Sequence, residues 1–501
     1  MFPYKTSIQF DRKCSQALYL QLSNQIIQLI KNQTLVPNTK LPGTRTLAEQ
    51  LNVHRKTIVA CYDELLLQGW VESIPKKGTF VLSNLPVLEK QKLKDSEASD
   101  LSESAGFSFY KNTILHKKSS KKEDDFMHFN DGISDSRLTP IDEIARTYRR
   151  ISAKKMVFKH LSYGPTYGND TLRRVLVEYL NATRGLHITK ENVLITRGSQ
   201  MGIWLSSQLL LQKDDVVVVG NTNYGSADST FLYQKAKIER VLVDEDGIIT
   251  NAIEKLCKRK QIKAVYVTSH HHHPTTVTLS AKRRIHLLNL AKEYNFAIIE
   301  DDYDYDFNYN HAPILPLASH DINGNVIYIG SVCKTVAPVY RIGYLIASKE
   351  FVDEAAKLRG FVDRQGDALL ELTFADFIKS GDLDRHIRKV MKIYMQRRNL
   401  FCKLLKDNLG SFFQFEIPKG GMAVWVKLHS DYSWEPISEV ARKHKLEIGE
   451  WRRYDTAKLG HNAIRIGFAA YNENEIYELI NRLKKTIDDI KKIKSSELVS
   501  S

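Results

Sequence analysis

The chain has only five cysteines in 501 residues, and none forms a Cys-x-x-Cys pair. That excludes a disulfide framework and a paired-thiol zinc or redox motif, so Cys14, Cys61, Cys257, Cys333 and Cys402 read as reduced thiols. Long apolar runs are missing too. Stretches such as Val216–Val219 fall far short of the ~20 residues that cross a bilayer, and no membrane span is expected. The first ten residues lack the basic n-region and the apolar h-region of ~7–15 residues that mark a secretory signal, which points to a cytoplasmic protein. What is present is an ordinary globular balance, 43% hydrophobic and 26% charged. At ~100–200 residues per domain the length holds two to four structural units, which excludes a peptide hormone. Lys and Arg number 73 against 58 Asp and Glu, a net +15 that favours polyanionic partners such as nucleic acid or phosphorylated ligands.

Residues 1–83 read as one small domain. Leu18, Leu22, Ile26, Ile27 and Ile30 recur at helical spacing, Leu47 and Leu51 mark a short second helix, and Ile58, Cys61, Tyr62, Leu65 and Leu66 a third. Trp70–Ile74 and Gly78–Leu82 alternate as strands around Pro75-Lys76-Lys77-Gly78. The pattern predicts a winged helix-turn-helix. Residues 84–125, Ser-rich and charged, have little to bury and read as a flexible charged linker. From 126 to 491 strand and helix signals alternate, with buried-strand candidates at Val193–Thr196, Val216–Val219, Ala264–Val267, Ala297–Glu300, Val326–Ile329 and Tyr344–Ala347. This rhythm predicts an α/β fold with a mostly parallel sheet, whose chemistry gathers at strand carboxyl ends. Residues 492–501 read as a frayed tail.

Two constellations carry chemistry. In the first, Arg45 opens the second helix, Arg55, Lys56 and Thr57 open the third, and Lys76 and Lys77 sit at the wing tip. Ten basic residues face five acidic ones across residues 1–83, and five of the ten are at these three places. Cations at such helix N-termini meet phosphates and base edges of double-stranded DNA; the alternative is a protein-binding winged helix with solvated charges. In the second, Lys334 follows a strand end, flanked by Ser331 and Arg341, and suits a Schiff base with an aldehyde whose phosphate those neighbours hold. Pyridoxal 5'-phosphate fits. Asp301 and Tyr303, two apart after the strand at 297–300, share a face from which a carboxylate meets a pyridine nitrogen and a phenol the ring 3-oxygen. The acidic run Glu300–Asp306 otherwise reads as a metal site or a polar loop. Gly198, Ser199 and Gln200 open a helix and offer N–H groups to a phosphate, and Tyr224 suits stacking on a flat ring. Arg465, mid-strand among apolar neighbours, needs a carboxylate from ligand or protein.

The runs Leu18-Tyr-Leu-Gln-Leu, Pro37–Ala48, Asn52–Ile58, Gly69-Trp-Val and Lys77-Gly-Thr-Phe-Val81 resemble, in order, the DNA-binding domain of GntR-family regulators. Gly43 and His54 stand where that family commonly has capping Ser, so both helix caps are expected to be weak. Residues 126–490 resemble fold-type-I aminotransferases, which implies a mostly parallel central sheet with a smaller C-terminal α+β subdomain. By that resemblance Lys334 is the Schiff-base lysine, Asp301 partners the pyridine nitrogen and Tyr303 the 3-oxygen. Ser199, Ser331 and Arg341 hold phosphate, Tyr224 stacks, and Arg465 binds an effector carboxylate. The whole chain resembles the MocR/GabR subfamily, with Glu300-Asp-Asp-Tyr-Asp304 and Lys334–Tyr344 following its signatures. This implies a bacterial, nucleoid-associated, head-to-tail homodimeric regulator that senses a small amine, an amino acid or the cofactor itself. A working aminotransferase with an accessory DNA-binding domain is the alternative.

The chain departs from the subfamily at Thr222, at Cys333, and at Ser269-His-His-His-His-Pro-Thr-Thr276. Adjacent histidines on an extended chain alternate faces and do not readily share one ion, so no metal is expected; His271 or His273 is expected beside the cofactor.

Overall fold

The computed structural model describes residues 2–12, 14–85, 104–115, 125–309, 314–332, 334–449, 451–455 and 458–500. It divides into two compact units, Met1–Tyr110 and Lys111–Ser501. In the first, helix α1 (Leu18–Lys31) buries Leu22, Ile26, Ile27 and Ile30 against α3 (Arg55–Leu67), whose Ile58, Cys61 and Leu65 are fully buried. Helix α2 (Thr44–Leu51) ends at Asn52, whose φ of 50° makes the tight turn into α3. Strands β1 (Val71–Ile74) and β2 (Gly78–Val81) pair antiparallel, with Lys76 left-handed in their turn. These are the helices and wing the periodicity predicts.

One expectation is corrected at the caps. Gly43 makes no side-chain cap, but the His54 ring does: its Nδ1 accepts from the Lys56 N–H at 3.2 Å. A neutral imidazole nitrogen reaches the second N–H of the helix much as a serine oxygen would.

In the second unit, seven strands form one sheet: β3 (Val193–Thr196), β4 (Val216–Gly220), β5 (Lys237–Val241), β6 (Ala264–Val267), β7 (Ala297–Asp302), β8 (Val326–Ser331) and β9 (Gly343–Ile346). Their order is β3-β9-β8-β7-β6-β4-β5, and only β9 runs antiparallel to its neighbours. Six of the seven were legible as apolar runs. The edge strand β5, Lys-Ile-Glu-Arg-Val, was not, because three of its five side chains are charged and only Val241 is fully buried, so no apolar run marks it. Apolar side chains from both faces pack under helices, among them α4 (Ser199–Leu210) and α5 (Gly225–Tyr233) on one side.

A smaller subdomain follows: the antiparallel strands β10 (Phe413–Phe415), β11 (Ala423–Leu428) and β12 (Ala463–Gly467) with α6 (Asp382–Leu409) and α7 (Glu473–Ser500). Helix α7 runs on through most of the 492–501 stretch that reads in sequence as a frayed tail. The stripe Ile476, Ile480, Leu483, Ile487, Ile490 continues the helix from its packed half, and no glycine or proline stops it before Ser500. The expected flexible linker also needs amending. Thr113–Leu115 forms a 3-10 turn against α5, while most of the remaining 84–125 stretch lies outside the described residues.

Cys14, Cys61, Cys257 and Cys402 are free thiols, and Cys333 lies outside the described residues. Among the described residues no helix is long and apolar enough to cross a membrane.

Candidate functional site

Asp301 sits at the carboxyl end of β7, level with Ile329 of β8. Its Oδ2 accepts from the Tyr266 hydroxyl of β6 at 2.7 Å, but its buried Oδ1 has no hydrogen-bond partner among the described residues. Burial is the main reason its carboxyl is pushed up to about 7, with the Tyr266 hydrogen bond pulling the other way. An ionised carboxylate with one open oxygen in such a place needs a positive N–H donor. A protonated pyridine nitrogen is that donor, so this end of the site fits pyridoxal phosphate.

The rest of the acidic run is spent elsewhere. Glu300 accepts from the Leu317 and Ala318 N–H groups and from the Ser269 hydroxyl. Asp302 takes the Tyr328 hydroxyl at 2.6 Å and pairs with His270 at 3.1 Å. Asp304 pairs with His271 at 2.9 Å, and Asp306 with Arg184 at 2.6 Å. The strand ends at Asp302 and the chain turns through 303–306, so each of these four carboxylates is bonded to its own set of partners. The four histidines are dispersed in the same way: His272 bonds Thr275 at 2.8 Å and His273 bonds Asp131 at 2.9 Å.

The rings of His273 and His271 point to different surroundings. The His273 ring stands edge-on to Tyr224 at 5.2 Å and faces Tyr303 at 6.3 Å. Burial lowers its pKa against the pull of Asp131, and its buried Nδ1 has no hydrogen-bond partner among the described residues. His271 instead meets Asp304 and packs under Gly420, where an added Cβ would collide with its ring. The Tyr303 hydroxyl donates to the His271 carbonyl at 3.0 Å and accepts from Arg465 Nη2 at 3.3 Å.

The phosphate end is assembled by register. Ser331 of β8 is level with Gly343 of β9, which is level with Thr196 of β3, and Gly198 opens α4 two residues later at φ 75°. Arg341, itself left-handed at φ 50°, donates through Nη2 to the Arg197 carbonyl at 2.6 Å. A Cβ on Gly198 would lie 2.7 Å from that guanidinium, so glycine is what lets the arginine close over the helix start. Ser331, Arg341, Gly198 and Ser199 are thus gathered around one helix N-terminus, a cradle suited to a phosphate. Gln200 is turned aside: its Nε2 donates to Thr230 of α5 at 2.9 Å. Tyr224, Gln200 and the Ile114–Leu115 turn line a crevice of about 530 Å³.

Lys334 Nζ donates to the Gly132 carbonyl at 2.8 Å. The residue before that glycine, Asp131, is the protein carboxylate that buried Arg465 requires: Arg465 Nε lies 3.5 Å from its Oδ1 and donates to its backbone carbonyl at 3.3 Å. Tyr454 donates to the same Oδ1 at 2.8 Å, and Arg453 is 3.6 Å away. Sequence reading missed Asp131, Gly132 and Tyr266. Asn-Asp-Gly reads as a plain turn, whereas Tyr266 did leave a signal, a hydroxyl in an otherwise aliphatic buried strand that had to find a partner.

On the first unit, Arg45, Arg55, Lys56, Lys76 and Lys77 are exposed and Thr57 is half-buried. Arg55 Nε donates to Thr44 Oγ1 at 3.3 Å, which fastens the start of α3 to the start of α2. Lys40, unremarked in the sequence, lies over the Phe80 ring of the wing at 5.9 Å.

A winged helix-turn-helix and a sheet of this order carrying a lysine, an open buried carboxylate and a phosphate cradle define a class: DNA-binding regulators built on a pyridoxal-phosphate domain of the aminotransferase fold. Residues 125–483 match the class I and II aminotransferases, and residues 18–81 match the gntR family of bacterial regulatory proteins. The chain belongs to the class I and II aminotransferase family, in the MocR/GabR subfamily of GntR-type regulators.

The chain is 26% identical over 481 residues to the uncharacterised HTH-type transcriptional regulator YdeL of Bacillus subtilis, covering 95% of this chain and 97% of YdeL. It is 25% identical over 491 residues to the HTH-type transcriptional regulator TauR of Rhodobacter capsulatus, covering 94% and 96%. Among solved structures it resembles the kynurenine aminotransferase of Pyrococcus horikoshii, crystallised with PMP, at a TM-score of 0.70 and 26% identity over 76% of this chain and 97% of that one.

Proposed function

We propose that the protein is a cytoplasmic transcriptional regulator in which residues 1–83 read DNA and residues 126–491, as a head-to-tail homodimer, sense a small amine, an amino acid or pyridoxal phosphate itself. Pyridoxal phosphate, when bound, supplies an aldehyde carbon that holds one primary amine at a time and a ring that withdraws electrons. Asp301 holds the ring-nitrogen proton, His273 and Tyr303 border the ring, and Ser199, Ser331 and Arg341 hold the phosphate. Lys334 is the resident amine.

The observation that carries the reading is the Lys334–Gly132 hydrogen bond. Gly132 lies in the first segment after residues 84–125, and that segment is pinned to the C-terminal subdomain: Met127–His128 pair with Leu446–Glu447, and Gly467 N–H donates to the Asn130 carbonyl at 2.7 Å. A ligand amine that takes the place of Lys334 frees its Nζ and changes what the Gly132 carbonyl is bonded to. The change therefore reaches the chain that leads to the DNA-binding unit. Such a switch works only if the ligand binds the two arrangements unequally.

The exposed Tyr163 and Phe361, 82% and 91% accessible, support self-association of the second unit. Arg364 lies over the Tyr163 ring at 5.4 Å, so the two residues sit on neighbouring segments.

The test is a visible absorption time course on loaded wild-type protein and Lys334→Ala, with a panel of amines and an assay for oxo-acid product. The expected result is a band that needs Lys334, shifts with one amine and then persists without product in excess of the protein. Sustained turnover would make the chain an aminotransferase that also binds DNA. A Lys334→Ala protein with wild-type DNA response would end the sensing claim.

A further inference from the structure

We infer that the ligand taken at Lys334 is a primary amine without a carboxylate, because this chain fills the carboxylate place of Arg465 with its own Asp131. The inference rests on the amine-sensing reading above and narrows it.

Arg465 is 1% exposed, and each of its three nitrogens already makes a hydrogen bond within the chain: Nε to the Asp131 carbonyl at 3.3 Å, Nη1 to the Pro274 carbonyl at 3.0 Å and Nη2 to the Tyr303 hydroxyl at 3.3 Å. The Asp131 carboxylate lies against the same guanidinium and is itself fully used. Its Oδ1 takes the Tyr454 hydroxyl at 2.8 Å and its Oδ2 takes His273 Nε2 at 2.9 Å, with Arg453 at 3.6 Å. Burial opposes its charge, but the His273 hydrogen bond and the guanidinium charges of Arg465 and Arg453 outweigh burial and hold the carboxyl well below the usual carboxylate range. Asp131 is therefore a permanent anion at ordinary pH.

Moving it aside is not a local matter. Asn130 Oδ1 accepts from the Gly132 and Ile133 N–H groups at 3.0 and 3.1 Å, and the Asn130 carbonyl accepts from Gly467 N–H of β12, the strand that carries Arg465. Carboxylate and guanidinium are fastened to one strand and travel together. The next residue, Gly132, holds Lys334, so two successive residues span the amine end and the guanidinium end of the site.

A ligand carboxylate arriving at Arg465 meets a second carboxylate whose Oδ1 lies 3.5 Å from the guanidinium, and like charges at close range select against it. An amine with a neutral or cationic remainder meets the reverse field. Asp131 is on this account a specificity-determining residue.

The test uses full-length protein loaded with pyridoxal phosphate and the smallest matched pair of probes, ethylamine and L-alanine, compared at equal concentrations of unprotonated amine and referenced to free cofactor. The shift of the visible band is read in wild type and in Asp131→Asn. In wild type the half-maximal concentration is expected to be at least about tenfold lower for ethylamine, and Asp131→Asn is expected to move the ratio at least about tenfold towards L-alanine. Equal response of the wild type to both probes overturns the inference, and so does an unchanged ratio in a folded Asp131→Asn protein. The wild-type ratio decides alone if that variant does not fold. A Lys334-dependent band that neither amine moves overturns the amine-sensing reading, and the inference with it, which is a different result from loss of discrimination.

Discussion

Asp301 shows how one atom ties the protein to its cofactor. Folding keeps its carboxyl protonated up to about pH 7, whereas in the unfolded chain it ionises near its ordinary 3.8. The folded, cofactor-free protein therefore binds more protons than the unfolded chain between those values, and the contribution of Asp301 to stability falls as pH rises through that window. A bound N–H cation favours the ionised form and removes the loss. The gain in melting temperature on adding pyridoxal phosphate is thus expected to grow from pH 5 to pH 8 in wild type and to stay nearly flat in Asp301→Asn. Thermal unfolding of free and loaded protein across that range checks it. Parallel pH profiles for free and loaded wild type would mean that Asp301 faces no cation. The histidines are no substitute explanation, since burial lowers His272 to about 3 and depresses His273, and a depressed histidine makes stability rise with pH, the opposite sign.

At the scale of elements, the two cationic sites on the first unit divide their work by where their backbone puts them. Arg55 and Lys56 lie in the first turn of α3, the second helix of the turn motif, and Lys76 and Lys77 in the β1–β2 turn. On DNA selected by the protein from a random pool, Arg55→Ala is expected to cost about 1–3 kcal/mol and relax preference at one position. Lys77→Ala is expected to weaken all sequences alike and to reduce the slope of log affinity against log salt by about 1. Binding titrations at several salt concentrations distinguish the two, and a uniform loss in Arg55→Ala would leave α3 without a base-reading role. These elements were legible because local periodicity, turn residues and caps agree with the fold there. The same held for six of the seven sheet strands, and with them for the position of Asp301, Tyr303, Ser331, Lys334 and Arg341 at or near strand ends. Asp131 and Gly132 were illegible because their partners Arg465, Tyr454 and Lys334 lie some 200 to 330 positions away along the chain, and nothing local marks a turn aspartate as the partner of a distant guanidinium. His54 was misjudged for the reverse reason. The cap is a matter of lone-pair geometry, which residue preference only approximates.

For the whole molecule, the question is how a change at Lys334 alters binding at DNA. One winged helix on one half-site gains little from events in the second unit. On the proposed reading, two winged helices joined through a dimer of that unit would bind as one object, with an effective concentration that depends on how the pair is held, and that is where a change at Lys334 would acquire leverage. The second unit exposes large apolar residues, Phe361 and Tyr163 among them, and Arg364 over the Tyr163 ring brings their two segments together, which is the place where the proposed self-association is tested. The double substitution Tyr163→Glu and Phe361→Glu places charge on two exposed side chains that contribute little to the core of the unit itself. Light scattering after size-exclusion chromatography is expected to show a dimer for wild type and a monomer for the variant. Binding to a single half-site is expected to be unchanged, while binding to a paired site falls by at least about tenfold as the linkage between the two DNA units is lost. A variant that is monomeric yet still distinguishes paired from single sites would mean that the DNA-binding units pair directly, and that ligand at Lys334 acts on each chain alone.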